Sequence, residues 1–464
     1  MKENRKVKPA IRDILSVNAA KALDKGLHLM GRQGTSLPGK AAIDISPSIL
    51  ALLSSQIKEK TFAVCGTNGK TTTNNLLCFL LEEQGERVVC NRMGANMVNG
   101  IMTAFAQAAD HIGRLDAGYA CLEIDEAAAV QLFPLVRPDY LILTNLFRDQ
   151  LDRYGEIDTI MEKLGNAIDT VPEIKLIVNA DDPLSVYLAR QSGHPYVTYG
   201  ISEKTSGSGE TGTGEIREGR FCKSCGTLLT YDWYHYSQMG MWHCPRCGLS
   251  RPNPDYEASG IMTEQGLCFM IDGHTVRTGL SGFYQAYNIL AVWSALSEAG
   301  RRETAAVTVQ QLVSRYHPQF GRGEAFIIKG RKVVLHLAKN PAGFNQNITA
   351  VLEDKAPKNL VIVINDNDQD GTDISWLWDV DFDRLSDESV RSITVSGIRA
   401  LDLVLRFKYV GIPVKVEENS KSAVESGLAQ SSDPLYVLVN YTALFEVHQM
   451  LKRKAKLCHI FNRT

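Results

Sequence analysis

The segment GTNGKTTT at 66–73 joins an apolar run, TFAVC, to the stretch TNNLLCFLLEEQG, which has helical spacing. A glycine-containing turn between strand and helix converges its backbone N–H groups on an anion, and the helix N-terminus adds partial positive charge. Gly66, Thr67, Asn68, Gly69, Lys70, Thr71 and Thr72 are therefore read as a phosphate cradle. In it Lys70 reaches the β- and γ-phosphates and Thr71 ligates Mg2+. The spacing departs from the common phosphate loop, because Val64 stands where the first glycine would fall. A second cluster, LEIDEA at 122–127, closes another apolar run with Glu123, Asp125 and Glu126. Carboxylates at a strand's carboxyl end face the ligand crevice of a parallel sheet, and Glu123 is the candidate to hold magnesium opposite Thr71. A third, TNLFRDQLDRYGE at 144–156, places Arg148, Asp149, Asp152 and Arg153 after a further strand. The fourth is Cys222-x2-Cys225 and Cys244-x2-Cys247, with 18 residues between the pairs and Gly226 and Gly248 after them. Four thiolates at this spacing suit a tetrahedral structural zinc, since four cysteines leave no open catalytic position. The aromatic stretch YDWYHYSQMGMWH between the pairs is open to three readings: base stacking, ribbon core, or a partner-facing surface.

Elements must position these groups. RVVC, GYACLEI, YLILTN and KLIVNA read as strands alternating with helical stretches such as IDTIMEKLGNAI, which predicts a parallel-rich sheet covered on both faces. EKTSGSGETGTGEIR at 203–217 reads as a flexible loop leading into the cysteine segment. GLCFMI and HTVRTGLSG read as a hairpin, AYNILAVWSALSEAG as a helix, and KVVLHLA, NLVIVIN, SITVSG and LYVLVN as strands of a second α/β block. The 464 residues predict two or three domains at roughly 150 residues each. The division expected is an N-terminal arm at 1–45, a central domain at 46–315 with a ribbon inserted at about 218–252, and a smaller α/β domain at 316–464. Fifty Lys and Arg against 52 Asp and Glu argue against nucleic-acid binding by bulk charge. No apolar run approaches the roughly 20 residues of a membrane span. The first residues carry no export signature, so the cysteines are expected as thiols or metal ligands in a cytoplasmic protein.

GTNGKTTT, the TN-x4-D-x2-D-x2-G segment, NADDP at 179–183, AYNILA and FGRGE at 320–324 occur in this order and together resemble the Mur ligase superfamily. The four cysteines and the segments LAKNPAGFNQ (337–346), NDNDQDGTDISWLWDVDF (365–382) and NYTAL (440–444) are similar to its MurT branch. That resemblance implies a ligase subunit that amidates the α-carboxyl of D-glutamate in lipid II at the inner membrane face. It also implies ATP, Mg2+ and structural Zn2+, with ammonia from a GatD-type glutaminase subunit. By motif, Asn288 would contact adenine and Arg322 the phosphates. Asp373 would complete the partner's Cys–His pair, with Asp370 and Asp379 as competing candidates. Lys70 and Glu123 would serve the phosphoryl step. Tyr284 and Gln285 replace the His-Asn that often precedes the adenine-contacting Asn, Gln150 replaces a His, and His336 replaces an acid near the ribose. The family's usual N-terminal UDP-binding domain has no counterpart in this sequence, as expected where a lipid carrier has replaced the nucleotide. The competing expectations are a stand-alone Mur-type amino-acid ligase and a zinc-ribbon ATPase that binds nucleic acid.

Overall fold

A computed structural model describes residues 9–30, 34–147, 157–205, 218–263, 266–280, 282–302, 305, 309–311, 313–316, 321–367 and 369–461. Three helices lead in: α1 (Ile11–Leu29), α2 (Leu37–Ile45) and α3 (Ile49–Ser54). Then β1 (Lys60–Cys65), α4 (Lys70–Glu83), β2 (Val88–Cys90), α5 (Val98–Ala108), β3 (Tyr119–Glu123), α6 (Ala129–Val136) and β4 (Tyr140–Leu143) alternate. They continue with α7 (Ile157–Asp169), β5 (Lys175–Asn179), α8 (Pro183–Ser192) and β6 (Tyr196–Ile201). An antiparallel pair, β7 (Thr230–Tyr236) and β8 (Met239–His243), stands apart as its own two-stranded sheet. Next come β9 (Tyr256–Met262), β10 (Leu267–Ile271), β11 (His274–Thr278) and α9 (Tyr284–Leu296).

The main sheet has nine strands in the order β11-β10-β9-β6-β5-β4-β1-β3-β2. It is parallel from β9 to β2, and the β9–β10 and β10–β11 pairs are antiparallel. Strands buried on both faces are apolar without interruption, as the sequence shows. Within β1, Phe62 and Val64 join the core under α4 and α9, with Leu76, Leu80 and Trp293. Ala63 and Cys65 face the opposite core, with Phe105 of α5 and Phe133 of α6. The arm helices α1 and α2 pack in that second core through Val17, Ala20 and Ala42. Because β3 and β4 flank β1 on either side, the ends of three strands meet around one turn, the place where open parallel sheets bind ligands.

The second block runs β12 (Arg322–Ile328), β13 (Arg331–Leu337), α10 (Pro341–Glu353), β14 (Lys358–Val363), β15 (Val390–Ser396), α11 (Ala400–Tyr409), β16 (Lys415–Val416), α12 (Ser420–Gln430), β17 (Leu435–Val439) and α13 (Tyr441–Phe461). Its six-stranded order is β12-β13-β17-β14-β15-β16, antiparallel only at β12–β13. Alternate residues of β14 again serve two cores: Leu360 and Ile362 pack with Phe344 and Phe407, Val361 and Val363 with Val424 and Val447. Among the described residues no helix is long and apolar enough to cross a membrane.

Candidate functional site: a glycine turn between two sheets

The turn after β1 is fixed by its glycines and by the loop after β4. Gly66 has φ +128°, and a Cβ there would lie 2.2 Å from Thr144 Oγ1. Gly69 has φ +86° and faces Asn288, whose Oδ1 would be 2.4 Å from such a Cβ. Only glycine is accommodated at either place. Asn145 clamps the backbone of Asn68 at both ends: Asn68 N donates to Asn145 Oδ1 (2.9 Å) and Asn145 Nδ2 to Asn68 O (3.0 Å). Thr67 N donates to Asn145 O (2.8 Å), and the Thr67 hydroxyl bridges both backbone groups of Phe147 at 2.9 Å. Of the amides expected to meet phosphate, those of Gly66, Thr67 and Asn68 are thus engaged in shaping the turn. Those of Lys70, Thr71 and Thr72 open α4, where intrahelical acceptors are lacking.

The strand-end acids divide their tasks. Glu126 accepts from Gly66 N (2.6 Å) and from Lys70 Nζ (2.9 Å), and Lys70 also donates to Gly66 O. Burial alone would lower the Lys70 pKa, but Glu126, Glu123 and Asp125 outweigh it and hold the ammonium above its ordinary value. Asp125 Oδ1 turns the chain just before α6, accepting from Ala127 N at 3.0 Å and from Ala128 N at 3.3 Å. Glu123 is placed by Asn91, which accepts from Glu123 N (2.9 Å) and donates to Glu123 O (2.8 Å). Its Oε1 accepts from Asn96 Nδ2 at 3.3 Å, whereas its Oε2 is buried with no hydrogen-bond partner. A buried carboxylate oxygen left in this state is costly unless a cation meets it. Gly94, at φ +72°, keeps the ground before it open: a Cβ there would lie 3.5 Å from Glu123 Oε2 and 3.7 Å from Thr71 Oγ1. The oxygen donors and the gap between them fit a hard divalent cation.

The second block closes the other side. Arg322 at the start of β12 donates to Thr71 Oγ1 at 3.1 Å. Asn340 caps α10, accepting from Gly343 N (2.8 Å), and pairs amide to amide with Asn68 at 3.2 and 3.3 Å. Between the blocks lies a cleft whose wall includes Gly69, Thr72, Tyr236, Asn288, Arg322 and His336. Asn288 is held by Thr73 Oγ1 (3.3 Å) and by Gln285 Oε1 (2.9 Å). His336 is fully buried, with its Nε2 unpartnered, and burial pushes its pKa down to about 4. The structure therefore brings Gly66 to Thr72, Glu123, Asn288 and Arg322 to one place.

The four cysteines form a second cluster, with every Sγ within 4.8 Å of the others and Cys222–Cys247 and Cys225–Cys244 at 3.6 and 3.5 Å. Sulfurs around a tetrahedral zinc with bonds of about 2.3 Å lie roughly 3.8 Å apart, so the donor set and its spacing are compatible with a structural metal. Gly226 and Gly248, at φ +72° and +73°, turn the two knuckles. The aromatic stretch between them faces inward: Tyr231, Tyr234, His235 and Tyr236 are buried, and His235 Nδ1 meets Tyr287 OH at 2.7 Å.

Asp373 is half-buried in the second block, and its Oδ1 accepts from Ser375 N (2.8 Å) at the start of the SWLW turn. Asp370 is buried and spent on Thr442, whose backbone N donates at 2.8 Å and whose hydroxyl donates as well. Asp379 lies at the end of that SWLW turn. Arg148, Asp149, Asp152 and Arg153, and most of the 203–217 loop, lie outside the described residues. Asn91 and Gly94 carry no sequence signal of their own, and Tyr236 is marked only as part of the aromatic stretch between the cysteine pairs. Asn145 and Asn340 sit inside the motifs TN and LAKNPAGFNQ, which was the available clue.

Two sheets of this order with a glycine turn at their junction have the Mur ligase-like fold. Residues 64–237 match the Mur ligase middle domain, and residues 337–444 match the MurT ligase C-terminal domain. The described backbone is similar to that of a pseudomurein peptide ligase type C from Methanothermus fervidus, with a TM-score of 0.66 at 20% identity over 87% of this chain and 80% of that one. The chain is 34% identical, over 96% of its length and 98% of the relative's, to the lipid II isoglutaminyl synthase (glutamine-hydrolyzing) subunit MurT of Staphylococcus aureus strain COL. It is 32% identical, over 92% and 94%, to the subunit of the same name from Streptococcus pneumoniae strain R6. The chain belongs to the MurT family.

Proposed function

We propose that this chain is the ligase subunit of a glutamine-dependent amidotransferase that converts the α-carboxyl of D-glutamate in lipid II to an amide. The observation that carries the ATP-using step is the unpartnered Glu123 Oε2 facing Thr71 across Gly94, beside Lys70. The substrate and the amide donor follow the names of the Staphylococcus and Streptococcus relatives. The carboxylate oxygen attacks the γ-phosphorus of ATP and releases ADP. Ammonia then attacks the acyl phosphate carbon, loses a proton and expels inorganic phosphate. Thr71 and Glu123 would hold Mg2+, which neutralises charge on the phosphates. In this reading Lys70 and Arg322 would meet the phosphates, the α4 amides would orient them, and Asn288, which lines the same cleft as Arg322, would meet the base. Zinc is the metal proposed for Cys222, Cys225, Cys244 and Cys247, and its role is structural.

Ammonia comes from a GatD-type glutaminase docked on the 316–464 domain. There Asp373 would orient the partner's histidine, the role of a triad's third member. The proposed division is an arm at 1–45, a central domain at 46–315 and this last domain at 316–464. The chain works at the inner face of the membrane that carries its substrate. Lipid II incubated with the chain, a candidate glutaminase, ATP and glutamine should gain NH2 in place of OH by mass spectrometry. Addition of a whole residue would identify an amino-acid ligase instead. Asp373→Asn should spare nucleotide binding and lower glutamine-dependent amidation. Unchanged glutaminase activity in that complex would remove Asp373 from its role.

A further inference from the structure

We propose that the four-cysteine ribbon is a working part of the nucleotide site: its hairpin supplies Tyr236 as a wall of the base pocket, and Gln238 braces the loop that shapes the phosphate turn. The inference rests on the nucleotide reading above and assigns the ribbon a task beyond carrying a metal.

Two independent contacts carry it. First, the β7–β8 hairpin is driven into the main domain rather than projecting from it. Tyr236, the last residue of β7, is buried, lines the cleft with Tyr284, Tyr287 and Asn288, and stands edge-on to Phe147 at 6.1 Å and to Tyr287 at 6.1 Å. An aromatic face beside Asn288 offers a flat base a stacking surface with no sequence demand. Second, Gln238 at the hairpin tip is fully buried and donates from Nε2 to Leu146 O (2.8 Å) and to Asp182 Oδ1 (2.5 Å). Leu146 N in turn donates to Asp182 Oδ2 at 2.8 Å. The peptide 145–147 is thus gripped from behind by ribbon and Asp182, while its front face grips Thr67 and Asn68. The hairpin is seated further by Gly240 N on Asp181 O (3.0 Å) and by Trp242 Nε1 on Ala180 O (3.2 Å). Its two strands lead to the cysteine knuckles, so a metal held by Cys222, Cys225, Cys244 and Cys247 would also fix where Tyr236 and Gln238 stand.

The two contacts make separable predictions, which calorimetric titration of the full-length chain reads with two magnesium-loaded probes. One is a non-hydrolysable ATP analogue and the other inorganic tripolyphosphate, which has no base. Tyr236→Ala should weaken the analogue about tenfold and leave tripolyphosphate unchanged, and Tyr236→Phe should bind both as the native chain does. Gln238→Leu should weaken both probes about tenfold, because it slackens the turn itself. Stripping the cysteine cluster of metal should weaken both, and one equivalent of Zn2+ should restore them. Native-like affinity for the analogue in Tyr236→Ala, or for both probes in the metal-free chain, would overturn the proposal. So would a Tyr236→Ala chain that loses both probes equally along with its melting transition. Failure of the underlying nucleotide reading looks different: the native chain itself would bind neither probe.

Discussion

Two acidic strand ends of the main sheet, at β5 and at β3 with β4 and β1 between them, are built to opposite plans. After β5, the sequence NADDP places Asn179, Asp181 and Asp182 fully buried, and every oxygen is used. Asp181 accepts from Arg251 Nε (2.6 Å), Tyr287 OH (2.6 Å) and Ile201 N (3.0 Å), and Asp182 from Ser185 N (3.2 Å), Leu146 N and Gln238. After β3, LEIDE places Glu123, Asp125 and Glu126 as deep, yet Glu123 keeps one oxygen unmet. The first group is a joint that ties β5, β6, α9 and the ribbon together. The second is a socket. Both groups are buried, and on the proposed function it is the unmet lone pair of Glu123 that would separate ligand binding from architecture.

That contrast can be broken in graded ways. Asp181→Ala leaves the Arg251 guanidinium, 2% exposed, without its carboxylate, and unfolding by urea should show a loss of about 3–5 kcal/mol. Glu123→Gln should do the reverse. Its melting temperature should hold or rise, while ATP-dependent amidation falls roughly 10²–10³-fold, about 3–4 kcal/mol in the barrier. If Glu123→Gln instead unfolds the chain and Asp181→Ala is tolerated, the assignment of joint and socket is reversed. A third test uses pH. His336 is held neutral, its pKa pushed by burial from 6.5 to about 4, so below 6.5 the unfolded chain takes up a proton that the folded one refuses. Stability should fall as pH drops from 6.5 toward 4, by at most about 3 kcal/mol from this group, with no contribution above 6.5. The difference between native and His336→Asn chains across that window isolates the effect. The smallest change is expected for Asn340→Ala, which removes the α10 cap and the pairing with Asn68. About 1 kcal/mol should be lost in thermal unfolding, together with a weaker hold between the two blocks.

Much of this was legible in residue order. The glycines at 66 and 69, the Lys-Thr pair after them and the two cysteine knuckles are local devices, because their chemistry requires particular residues within a few positions of each other. Strand runs such as KTFAVC and NLVIVIN were equally plain, since parallel strands are apolar on both faces. What sequence order hides is partnership across strands. LEIDEA announces three acids, but only the sheet order β3-β1-β4 shows that Glu126 belongs to Lys70 and Glu123 to the gap before Gly94. Asn91 and Asn145 are ordinary loop asparagines until β2 and β4 bring them beside Glu123 and Asn68. The stretch YDWYHY carried three readings because period-two burial cannot say which face meets a neighbour. The insertion of Tyr236 beside Phe147 settles it as inward.

The salt link of Lys70 with Glu126 has a last consequence. At rest the lysine's charge is already spoken for, and Glu123 and Asp125 add two more negative groups close by, while Arg322 meets Thr71 as a further cation among the described residues. A naked polyanion approaching this pocket would meet repulsion from the strand ends as well as attraction from the helix dipole. A polyanion escorted by a doubly charged ion brings its own compensation to the one oxygen that lacks any. The pocket's resting electrostatics thus favour a polyanion that arrives with its ion over the same polyanion alone.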